Sequence, residues 1–115
     1  MVTGAPLSVL VWILATTYAD VPPTPLPVAA IAGHRIELGT CSGVDFGTAS
    51  ITAYVPMPAI TYSVTLPAGV WCARIRTVLV AKDVSGAPIE SAWSGAVQKT
   101  VLMPLPLTPS GWNIQ

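Results

Sequence analysis

Twelve prolines in 115 residues constrain this chain more than any other feature. A proline inside a helix removes a backbone hydrogen bond and clashes with the preceding turn. They interrupt most candidate helices, and no window of 11 or more residues combines a 3.6-residue apolar period with helix caps. What lies between the prolines is a set of short alternating runs. In Ile60–Leu66, Tyr62, Val64 and Leu66 share one face, and Pro67-Ala68-Gly69 then turns the chain. In the next run Trp71, Ala73, Ile75 and Thr77 share one face, and Cys72, Arg74 and Arg76 the other. Two arginines opposite an apolar row describe a half-buried strand.

Further strands are expected at Val9–Trp12, at Ile31–Leu38 with His34, Ile36 and Leu38 on one face, at Ile51–Val55, and at about Ala96–Leu102. Turns are expected at Gly39–Gly43 and Ser85–Pro88. Pro22, Pro23, Pro25 and Pro27 make about residues 16–27 a long, stiff connection. Six or seven short strands separated by turns are the profile of an all-β, antiparallel β-sandwich, here over residues 1–102 with a short first strand. Beyond it, Pro104, Pro106 and Pro109 favour an extended backbone, so residues 103–115 read as a proline-rich C-terminal arm.

Charge narrows the classes of function. Only 9% of residues are charged, and 5 cations balance 5 anions. Ordinary soluble domains carry about 25%. No basic footprint exists for nucleic acid, and 52% hydrophobic residues exclude a disordered chain. The most apolar stretch, Leu7–Ala15, is about half the ~20 residues needed to span a bilayer. No Lys or Arg precedes it, so it reads as a buried strand rather than as a signal peptide. No membrane association is expected.

Candidate chemistry is sparse. His34 is the sole histidine, and Glu37, the acid nearest in sequence, points to the opposite face. No GxSxG is present, and Ser85, Ser91 and Ser94 read as turn residues. Asp20, Glu37, Asp45, Asp83 and Glu90 are scattered, giving neither a calcium loop nor a carboxylate pair. Two cysteines without a Cys/His cluster do not make a zinc site. An enzyme, a metal and a cofactor are therefore not expected.

The runs ITYSVTLPAG, VWCARIRTV and SGAPIESAWSGAVQKTV resemble strands E, F and G of a fibronectin type III domain. IAGHRIELGTCSG resembles its strand C and the following turn, and Trp12 stands where the family places a core Trp on strand B. The resemblance covers about residues 5–102. It departs where Trp71 replaces the corner Tyr, whose hydroxyl bonds to backbone, and where His34 replaces a Tyr. It also implies that strand A lies within the first six residues, leaving an edge poorly covered. The motifs GHRIELGTCSG, VTLPAG and ESAWS are similar to such modules in bacteriophage structural proteins and bacterial exported proteins.

In this fold strands C and F are antiparallel neighbours. Placing Cys41 opposite Cys72 puts Glu37 opposite Arg76, with thiols and ion pair on one outward face. Both free thiols and a disulfide are compatible with that register. Much of the charge then lies on this one face, and the two chain ends and the opposite sheet are left as contact surfaces. Trp112, Leu105, Leu107, Trp93 and Tyr18 are the candidate interface residues, because aromatics concentrate at interfaces.

The expected function is a non-enzymatic structural module of a bacteriophage virion: a capsid decoration, neck or tail accessory protein contacting other virion proteins in many copies. The alternative is an exported or cell-surface module that binds a polysaccharide or receptor through Tyr18 and Trp93.

Overall fold

The computed structural model describes residues 7–102, 111, 113 and 114. They form an all-β sandwich of two antiparallel sheets. The smaller sheet pairs β1 (Leu7–Val11) with β4 (Thr61–Thr65). The larger runs β3 (Asp45–Pro56), β2 (Ile31–Ser42), β5 (Gly69–Lys82), then β6 (Pro88–Glu90) and β7 (Val97–Val101), both of which pair with β5. The first six residues lie outside the described residues, and so do the candidate positions Leu105, Leu107 and Trp112.

Alternation decides which side chains enter the core. Ile36 and Leu38 of β2, Ala73 of β5, Val55 of β3 and Val101 of β7 are buried between the sheets with Leu66. Leu10, Trp12, Tyr62, Val64, Trp71 and Ile75 pack around them. The outward positions of β2 and β5 carry Arg35, Glu37, Arg74 and Arg76, the faces expected from the sequence.

Three local expectations are corrected. The strand expected to end before Gly39 continues to Ser42, and the chain reverses at Gly43–Val44 instead. Gly43 has φ 64°, which suits a two-residue hairpin turn. Gly39 serves a close approach rather than a turn. A Cβ there would collide with the Thr48 carbonyl oxygen and lie 2.9 Å from Ala49 Cα. The ladder shifts register on both sides of Gly39 as β3 bulges past it.

The second correction concerns residues 16–27, which fold back on themselves. Tyr18 N–H donates to Thr24 O (2.8 Å) and Leu26 N–H to Thr16 O (2.9 Å). Asp20 accepts from both the backbone and the hydroxyl of Thr24. A carboxylate placed to close a turn overrides the extended preference of the prolines.

The third is Leu7–Ala15, which is not a buried strand. Ser8 is buried and Leu10 half-buried, but Leu7, Val9 and Val11 are 60%, 53% and 69% exposed. With only two strands in its sheet, β1 has its inward face alone covered.

The edge of β5 is completed in an unusual way. Between β6 and β7, Ser91 N–H donates to Thr77 O and Thr77 N–H donates back to Ser91 Oγ, both at 2.9 Å. Ser94 repeats this on Ile75, at 2.8 and 3.1 Å. Two hydroxyls thus replace the carbonyls of a regular ladder, satisfying donors that would otherwise be orphaned.

Candidate interaction surface

The outer face of the large sheet gathers five of the ten charged residues, Arg35, Glu37, Arg74, Arg76 and Glu90. Glu37 Oε1 accepts from Arg74, whose Nη2 lies 2.6 Å away. Glu90 Oε1 lies 2.8 Å from Arg35 Nε and 3.0 Å from Arg76 Nε. The Arg35 contact is a hydrogen bond, whereas Arg76 Nε makes none despite its closeness. The Arg35 hydrogen bond holds the Glu90 carboxyl below its ordinary value, helped by the charges of Arg35 and Arg76.

Trp93 lies against two guanidiniums, with the carbons of Arg74 and Arg76 each 4.3 Å from its ring. Arg74 also covers Phe46 at 4.4 Å, and Arg35 approaches Tyr54. Partly exposed pairs of this kind stabilise by about 0.2–1 kcal/mol each. The layer is a set of opposite charges and aromatic rings in mutual contact.

The expected register between β2 and β5 is off by two residues. Glu37 faces Arg74, not Arg76, and Cys72 faces Gly39. A slip of two preserves which face each side chain takes, so the outward cysteines still meet. Cys41 and Cys72 form a disulfide, with Cα atoms 5.2 Å apart. Tyr18 belongs to the folded-back loop, while Trp93 is held on the sheet face by arginines.

His34 is buried at 3% exposure. Its ring is 5.3 Å from that of Trp12, and neither His34 Nδ1 nor Trp12 Nε1 has a hydrogen-bond partner. Both residues line a small cavity of about 200 Å³. A site of that size with two polar atoms suits ordered water. Burial lowers the His34 pKa from 6.5, so the unfolded chain takes up this proton more readily. The stability this provides is full above pH about 6.5 and is lost as pH falls below it. Chemical denaturation at pH 7.5 and 5.5 should therefore give a lower unfolding free energy at pH 5.5, and His34→Gln should flatten that difference.

The remaining feature is the open side of the sandwich. Among the described residues β1 pairs only with β4, in the register Leu7↔Thr65, Val9↔Ser63 and Val11↔Thr61. Trp12 N–H donates to Ile60 O, which sets the alternation of the ladder. Ser8 and Leu10 therefore direct their N–H and C=O groups to β4, and Leu7, Val9 and Val11 direct theirs to the free edge. Between that edge and β7 runs an apolar groove of about 460 Å³, floored by Ile36, Leu38, Leu66 and Ala73. Lys99 Nζ donates to Ser8 Oγ (3.1 Å) at one end of it.

The outer face of the small sheet carries no charge, only Leu7, Val9 and Val11 beside Thr61, Ser63 and Thr65. The sequence signal for this surface was the unbroken LSVLV run, which periodicity alone does not separate from a strand covered on both faces. No protein-family model, curated protein or solved structure matches the chain.

Proposed function

We propose that this chain is a non-enzymatic structural module of a multi-copy assembly. In this reading it is a fibronectin type III-like plug in a bacteriophage virion, serving as a capsid decoration, neck or tail accessory protein. The observation that carries the reading is the β1 edge, which no strand among the described residues pairs with. Natural sheets protect edges with charges, prolines or bulges. LSVLV has neither charge nor proline, and its pairing with β4 is regular. Such an edge beside an uncharged face is suited to burial against another protein.

The strand order supports the fibronectin-like part. A β1–β4 sheet facing β3–β2–β5 with β6 and β7 matches strands B and E facing C′, C, F and G. Trp71 supports it further, because its Nε1–H donates to Pro67 O at 2.9 Å. The indole thus performs the corner bond that a Tyr hydroxyl makes in the family. The disulfide supports exposure to an oxidising exterior, such as a released particle or a cell surface.

The test is deletion of residues 103–115. At a concentration where the full chain is monomeric, the truncated chain should keep its unfolding midpoint, but it should fail to co-sediment with the particle. Normal incorporation would defeat the proposal.

A further inference from the structure

We propose that the groove between β1 and β7 receives residues 103–107 of a second copy of this chain, added as a strand parallel to β1. The inference rests on the reading of the chain as a module of a multi-copy assembly and names the contact that builds it.

The edge sets three requirements. An incoming strand must bond the N–H and C=O groups of Leu7, Val9 and Val11. Over the floor of Ile36, Leu38, Leu66 and Ala73 it must be free of charge, and with Lys99 also lining the groove it must carry no cation. It must also place apolar side chains inward.

The arm meets all three. No charged side chain follows Lys99 in the sequence. In extended backbone, Met103, Leu105 and Leu107 share one face and direct their N–H and C=O groups to one edge. Pro104 and Pro106 fall on the other edge, where a missing N–H costs nothing.

Direction follows from geometry. In antiparallel pairing, mutually bonded residues share a sheet face, so the leucines would join Val9 outside. In parallel pairing an edge residue bonds to the two neighbours of the residue opposite it. The bonded residues of the arm then face the side away from Val9, which is the groove.

The same geometry selects a second copy. Val101 pairs with Gly69 and Leu7 with Thr65, and Gly69 and Thr65 flank one corner, so β7 ends where β1 begins. For the arm to run parallel to its own β1, the chain would have to reverse between Leu102 and Met103, which leaves no residues for a turn. A neighbour's arm has no such constraint. The prolines on its outer edge block a further strand, so each groove takes one arm.

The experiment is amide hydrogen exchange on the full chain at high and low concentration. Leu7, Val9 and Val11 should exchange about tenfold or more slowly at high concentration. Ser8 and Leu10, bonded to β4, should be slow throughout and report an intact sandwich. In the double variant Leu105→Asp, Leu107→Asp, the three edge amides should be fast at every concentration. A synthetic peptide of residues 103–115 added to that variant should restore their protection. Edge protection that survives in the variant, or that the peptide fails to restore, overturns the proposal. Self-association undiminished in the variant removes the arm and leaves the assembly reading standing. A chain monomeric at every concentration removes both.

Discussion

Replacing Cys41 and Cys72 together by serine should lower the unfolding free energy by about 4 kcal/mol. The bond joins residues 31 apart in sequence, and closing a loop of that length restricts the unfolded chain by about 3–4 kcal/mol. In the folded state Cys72 is wholly buried, so a serine there adds the cost of a buried hydroxyl. Urea unfolding of the double variant beside the parent checks this. The intact, non-reduced parent should also weigh two hydrogens less than its residues sum to. A stability change below about 1 kcal/mol would mean that the bond is not formed in solution.

Trp71→Ala should cost about 3–4 kcal/mol. Trp71 packs on the cluster of Ile36, Leu38, Leu66 and Ala73, and truncating a core aromatic typically costs about 3–5 kcal/mol. The side chain is half-buried, which places it at the lower end. Trp71→Phe separates the two contributions. It keeps most of the packing and loses the bond to Pro67 O, so it should cost about 1 kcal/mol. Equal losses in the two variants would mean that the corner bond, not the packing, dominates.

What the sequence made legible follows from the strand period of two. The alternation of His34, Ile36 and Leu38, and of Trp71, Ala73, Ile75 and Thr77, located the faces of β2 and β5 and put both cysteines on one side. Absolute register was not legible. A shift of two leaves every face unchanged, and the bulge at Gly39 comes from close backbone approach to Thr48, which no pattern of apolar residues encodes.

The loop at residues 16–27 misled for a different reason. Proline restricts φ, but Asp20 and Thr24 bond across the turn and reverse the chain. Ser91 and Ser94 looked like turn residues because a hydroxyl replacing a carbonyl in a ladder leaves no periodic trace. The open edge was partly legible, since the short first strand implied poor cover. That Leu7, Val9 and Val11 are the uncovered residues required the β1–β4 register.

The β1 edge is proposed to be covered by another molecule in the working assembly. The mass of the full chain in solution, measured by sedimentation across a wide concentration range, tests it most directly. Species heavier than 11.9 kDa that dissociate on dilution are expected. A particle of 11.9 kDa at every concentration would contradict it.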